Sequence, residues 1–167
     1  MDVCKRQGRV ASQYFTNGYD FIVFLNNKPE AATMTTIAWK DFYSVGDPSL
    51  DAQHQQLIGI INELYDAMEK KSTQQVIKPI LDRLVKYTFE HFKREEEAME
   101  AVEYPDLIPH KAKHDKIRQK TLDLKDNADF VTGQNLLAFL KEWWVGHIQS
   151  EDKKYAPYLE ALGSSRR

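Results

Sequence analysis

The chain has 167 residues, of which 42% are apolar and 29% charged, a composition that supports a folded core and not a disordered segment. Its 23 Lys and Arg against 25 Asp and Glu leave a net charge of −2, so electrostatics gives no reason to expect a nucleic-acid binder. The single cysteine, Cys4, excludes an intramolecular disulfide and any centre held by a cysteine cluster, and no apolar run approaches the ~18 residues of a membrane span.

Residues 1–36 read as an N-terminal arm. Lys5, Arg6 and Arg9 form a basic start, and the short apolar run Phe21–Leu25 follows only after Gln13, Thr16, Asn17 and Asp20. That interruption, with no small-residue cleavage site after Leu25, argues against a secretory signal. A cytoplasmic location is therefore expected. Met34 stands just before the first domain-like residues, so the arm is either a genuine appendage or the product of an upstream start codon.

The rest of the chain, 37–162, reads as one domain with a short tail at 163–167. Asp47-Pro48-Ser49 is a helix start signal. Leu50, His54, Leu57, Ile58, Ile61, Leu64, Tyr65 and Met68 then recur at steps of three and four, which predicts a helix over about 50–70. Val76, Ile80, Leu84, Tyr87, His91, Glu95 and Met99 predict a second helix over about 73–101, with Pro79 near its start, where proline costs least. Tyr104-Pro105 breaks it. His110, His114, Ile117, Thr121 and Leu124 form a third stripe, ended by Asn127 and Asp129. Thr132 reads as the N-cap of a fourth helix carrying Leu136, Leu140, Trp143, Trp144, His147, Ile148, Tyr155 and Leu159. Four amphipathic helices with short connections predict an all-α, antiparallel up-down-up-down bundle. Trp39 is expected to plug one end of it.

All five histidines lie on these stripes: His54, His91, His110, His114 and His147. Glu95 follows His91 by four residues, and Asp152 follows His147 by five. Residues four apart share a helix face and reach a common point. In an antiparallel bundle all seven groups fall at one level. No Lys or Arg lies on the inward stripes there to pair the carboxylates, and a buried unpaired carboxylate costs several kcal/mol. Bound metal is the simplest compensation. Imidazole and carboxylate suit iron, zinc, copper or manganese. Seven ligands exceed what one transition ion takes. They suit two ions bridged by the carboxylates and an oxo or hydroxo group, with three imidazoles on one ion and two on the other. That count leaves one open position, where a small molecule binds.

The order His54, His91-Phe-Lys-Arg-Glu95, His110-x3-His114, His147-x4-Asp152 resembles the hemerythrin family, in particular the bacteriohemerythrins. The flanks Ile37-Ala-Trp39, Tyr43-Ser-Val-Gly, Leu50-Asp-Ala-Gln-His54, Glu95-Glu96-x2-Met99, Tyr104-Pro105 and Trp143-x3-His147-Ile148 extend the resemblance over about 36–162. It implies a non-haem centre of two iron ions that binds O2 reversibly. His110, His114 and His147 would serve the six-coordinate iron, His54 and His91 the iron with the vacancy, and Glu95 and Asp152 the bridges. On an ideal helix Asp152 stands about 140° round from His147, so its role rests on the resemblance alone. Leu57, Phe92, Trp143, Trp144 and Ile148 would line a dry pocket for O2. Trp144 stands where leucine is frequent in the family, and its bulk would narrow access.

The resemblance thus implies a binding protein for oxygen carriage, storage or delivery, and not an enzyme, with no membrane or nucleic-acid partner and a recipient or reductant that the residues do not identify. The alternatives are a di-iron redox enzyme and a sensor of O2, peroxide or nitric oxide. Glu95-Glu96-Glu97 apart from Glu95, Lys153-Lys154 and Arg166-Arg167 read as solvated charge. No Gly-rich phosphate loop, H-E-x-x-H or Ser-His-Asp arrangement is present.

Overall fold

The computed structural model describes residues 37–165. The expected arm, with Cys4 and Phe21–Leu25, lies outside the described residues, as do Arg166 and Arg167. Every regular element among the described residues is helical: α1 (Pro48–Glu69), α2 (Thr73–Ala101), α3 (Leu107–Asp126), α4 (Gly133–Lys141) and α5 (Ala156–Ser165). Between α4 and α5 lie a π-helical segment, Glu142–Ile148, and a single 3₁₀ turn, Asp152–Lys154. None of these helices is long and apolar enough to cross a membrane.

The helix ends follow from local chemistry. Asp47 caps α1 through hydrogen bonds from the Ser49 and Leu50 amides (2.8 and 3.1 Å), and Pro48 occupies the first helical position. Lys71 and Glu103, both at positive φ, end α1 and α2. In each case the amide two residues past the cap reaches back five: Ser72 to the Ala67 carbonyl (2.8 Å), Tyr104 to that of Met99 (3.0 Å). These are Schellman closures, made here without glycine. Thr132 caps α4 through the Asn135 amide (3.2 Å). At Gly133 an added Cβ would meet the Thr73 methyl at 2.6 Å, so the starts of α2 and α4 touch only because this residue has no side chain.

The short connections make successive helices antiparallel, and the bundle packs chiefly α1 on α2, α2 on α3, and α4 on α1 and α2. Leu50, Ile61, Leu64, Ile80, Leu84, Leu136 and Leu140 are fully buried and fill its length. A second apolar cluster, Val45, Leu50, Ala98, Met99, Tyr104, Tyr155 and Ala156, closes the end nearest the histidines.

Two expectations need correction. The fourth stripe is not one α-helix. The chain leaves α geometry at Glu142 and turns at Gln149–Glu151 before the 3₁₀ turn. Trp39 is only half-buried; the side chain that plugs this end is Tyr43, which is buried and stands edge-on to both Trp39 (5.8 Å) and Trp144 (5.2 Å).

Candidate metal centre

All five histidines, Glu95 and Asp152 are buried, none more than 4% exposed. α1 supplies His54, α2 supplies His91 and Glu95 one turn apart, and α3 supplies His110 and His114. His147 comes from the π segment, and Asp152 opens the 3₁₀ turn after it.

The seven residues form two sets that share the carboxylates. Ligand atoms of Glu95, His110, His114, His147 and Asp152 all lie within 4.8 Å of one another, as do those of His54, His91, Glu95 and Asp152. The contacts between imidazole Nε2 and carboxylate oxygen are close. His114–Glu95 is 3.2 Å, His110–Asp152 and His147–Asp152 are 3.3 Å, His91–Glu95 is 3.5 Å and His54–Asp152 is 3.6 Å.

None of these approaches is a hydrogen bond. Among the described residues, Nε2 of all five histidines, Oε2 of Glu95 and both oxygens of Asp152 are buried without a hydrogen-bond partner. Orphaned buried polar atoms are expensive and rare. Here they converge, which is the arrangement of donors suited to a cation. Bonds of about 2.0–2.2 Å to a divalent ion put neighbouring ligand atoms about 3 Å apart and opposite ones about 4 Å apart. The observed separations fall in that interval, so the residues fit the group.

Electrostatics agrees with the donor role. Burial pushes His91 and His147 down to about 3 and His110 to about 4, and lowers His54. These imidazoles are therefore neutral near pH 7, the state in which they bind metal. His114 goes the other way: burial lowers it, but the adjoining Glu95 carboxylate and the Glu96 carboxylate that accepts from its Nδ1 outweigh that and raise it. Asp152 is pushed well up by burial and by the charge of Glu95. Two carboxylates this close and this buried disfavour being charged together, and a bound cation would relieve that.

A surrounding layer holds the imidazoles in place. Gln53 Oε1 meets Nδ1 of His91 at 3.1 Å, and the Gln53 carbonyl accepts from the Tyr87 hydroxyl (2.9 Å), whose ring stacks on His91. Glu96 Oε1 meets Nδ1 of His114 at 2.9 Å and also accepts from Arg118 (2.9 Å); its other oxygen pairs with Lys111 (3.0 Å). The Tyr155 hydroxyl donates to Glu95 Oε1 (2.5 Å). Fixing Nδ1 in this way leaves Nε2 of His91 and His114 free to face inward.

Glu96 is thus a correction to the sequence reading. It is 14% exposed and belongs to the site, held to about 2 because the hydrogen bonds from His114, Lys111 and Arg118 outweigh its burial. Lys153 is also not simply solvated, since it is half-buried and donates to the Ser44 carbonyl. Gln53 and Tyr155 were not expected as site residues at all. The signals for them are slight: Gln53 adjoins His54 in the family-like flank, and Tyr155 lies on the fourth stripe after Asp152.

The five expected pocket residues, Leu57, Phe92, Trp143, Trp144 and Ile148, are all buried. Phe92 lies flat on His114 (4.0 Å, 7° between planes) and contacts His91 and His147. Trp143 packs on Phe92 and Tyr87. Trp144 faces Tyr43.

Comparison with known proteins agrees with this geometry. The family model described as "Hemerythrin HHE cation binding domain" matches residues 45–159. A hemerythrin-like protein of Naegleria gruberi is 37% identical over 121 residues, 72% of this chain and 92% of the relative. The bacteriohemerythrin of Methylococcus capsulatus is 34% identical over 114 residues, 66% of this chain and 86% of its own. A wild-type hemerythrin crystal structure superposes with a TM-score of 0.65 at 30% identity, covering 75% of this chain and 99% of that one. The protein is a member of the hemerythrin family, with an HHE cation-binding domain.

Proposed function

We propose that this protein binds O2 reversibly at a centre of two iron ions, for oxygen carriage, storage or delivery. The observation that carries the reading is the division of seven buried, unpartnered donors into two sets sharing both carboxylates. His110, His114 and His147 would hold one ion, His54 and His91 the other, and Glu95 and Asp152 would bridge them. The second set has one donor fewer, so the open position falls on its ion. When bound, the pair of ions supplies an electron-rich site that takes up O2 and returns it.

The chain's own residues decide whether that uptake is reversible. Gln53 and Glu96 fix the orientation of His91 and His114. Tyr155 holds one oxygen of Glu95, leaving Oε2 to face the histidines. Phe92, Trp143, Trp144, Leu57 and Ile148 keep water away, which suppresses proton-assisted loss of reduced oxygen and strengthens the local electrostatics.

The test is iron content together with the visible spectrum of anaerobically reduced protein, before air, after air and after deoxygenation. Two irons per chain and an absorption band that appears in air and disappears on deoxygenation are expected. Immediate oxidation that does not revert would overturn the carrier reading in favour of a redox enzyme or sensor.

A further inference from the structure

Among the described residues, α3 is poorly covered on one side. Its fully buried residues are His110, His114 and Thr121, none of them an apolar side chain. Ile117 and Leu124 remain half-buried and line a groove of about 780 Å³ between α3, α4 and the π segment. Across from them lie Ala138, Phe139 and Trp143. Among the described residues no side chain fills the groove. At Gly146, in its wall, an added Cβ would touch only the Glu142 side chain, at 3.8 Å.

Lysines mark the α3 rim at helical spacing: Lys113, Lys116 and Lys120. Lys113 is engaged by Glu151 (2.5 Å). Among the described residues, Lys116 and Lys120 have no ion-pair partner. Glu142, exposed, stands on the opposite rim. The groove thus holds apolar side chains between a rim positive at Lys116 and Lys120 and one negative at Glu142, with Asn135 and the Lys113–Glu151 pair also lining it. Its volume lies within the ~300–1,000 Å³ typical of single small-molecule sites, and an α-helix about 10–12 Å across would not be enclosed by it.

The geometry points to a second binding site in this groove, for a free medium- or long-chain carboxylate, its head at Lys116 and Lys120 and its chain along Ile117, Leu124 and Ala138. The apolar chain covers the half-buried Ile117 and Leu124 and the exposed Ala138, which is the source of affinity. The lysines set direction, because Glu142 repels the head from the other rim. His147 and Trp143 line the floor, so an occupant lies on the outer wall of the metal cluster. The inference is independent of what the cluster binds.

Calorimetric titration of the full-length protein with sodium decanoate, below the concentration at which it forms micelles, tests it. One decanoate per chain is expected, with decanol and inorganic phosphate each at least tenfold weaker. The double variant Lys116→Glu, Lys120→Glu is expected to weaken decanoate at least tenfold. Ala138→Trp, which fills the groove, is expected to abolish binding without changing iron content. Absence of saturable binding, phosphate binding as tight as decanoate, or an affinity indifferent to the lysine pair would each overturn the proposal. The lysine variants lie on the surface, so the test stands even if Ala138→Trp misfolds.

Discussion

Tyr155 donates a fully buried 2.5 Å hydrogen bond to Glu95, a residue sixty positions earlier in the chain. Burial, with the nearby Glu95 and Asp152 carboxylates, raises the phenol well above its ordinary value, so it remains a donor at any physiological pH. The bond ties the segment after the π helix to the middle of the bundle and occupies one of the two Glu95 oxygens. Tyr155→Phe removes the donor with little change of shape. Leaving Oε1 buried and unpartnered costs about 1–3 kcal/mol, seen as a lower denaturant midpoint, and chelators are expected to strip metal faster from the variant. An unchanged midpoint would mean that water or metal already satisfies Oε1.

Glu95 belongs to both donor sets, so its loss is felt at both. Glu95→Ala is expected to reduce bound iron from two per chain to less than one, by elemental analysis of the purified variant. Retention of two irons would show that Glu95 is not a bridge.

Glu96 acts one step further out. It receives His114, Arg118 and Lys111 together, while Arg118 lies over the face of Phe92 (5.1 Å), which in turn stacks on His114. Glu96→Ala releases both ends of that stack. Groups that orient a metal-binding imidazole are typically worth about 10–100-fold in metal affinity, and chelator competition is expected to return a loss of that size. A loss below threefold would reduce Glu96 to an ordinary ion pair.

These side chains also mark the boundary of what sequence can tell. The four stripes follow from apolar spacing, because burying one face of a helix leaves a period that residue types record directly. His91 with Glu95 and His110 with His114 are legible for the same reason: an i, i+4 pair on a regular helix shares a face. Asp152 is not, since an ideal helix turns it away from His147. The structure resolves this by abandoning α geometry. The Gln149 amide bonds back five residues to Trp144, and Glu151 then closes on the His147 carbonyl. The wider π turn and the 3₁₀ turn after it bring Asp152 to 3.3 Å from His147. Glu96 was misread because one charge in an acidic run looks like its neighbours. Its three partners come from α3, and only tertiary packing reveals them.

Trp144 tests how tightly the apolar wall is built. It is buried and edge-on to Tyr43, at the end of the bundle where the chain enters. Trp144→Leu removes ring volume that these neighbours refill only in part, at a cost of about 1–3 kcal/mol. If the ring also limits access to the open position, autoxidation of the oxygenated protein is expected to quicken severalfold, followed by the decay of its visible band. Stability lost with no change in rate would leave Trp144 as packing against Tyr43 alone.

The histidines predict how the metal-free chain responds to acid. His91 and His147 are held to about 3 and His110 to about 4 in the folded state, against 6.5 for the ordinary side chain. Below pH 6.5 the unfolded chain therefore binds protons that the folded chain refuses, so acid favours unfolding. Stability is fully present above about pH 6.5 and is lost progressively as pH falls toward 3. His114, whose value is raised, has the opposite sign and offsets part of this between its folded value and 6.5. Four lowered histidines, His54 among them, outweigh one raised histidine. The urea midpoint of metal-free protein is expected to fall steadily from pH 7 to pH 4. Histidine-to-glutamine substitution at position 91 should flatten that slope, since glutamine does not titrate. A midpoint independent of pH across this range would show that the imidazoles are solvated in the metal-free chain and that the centre is not preformed.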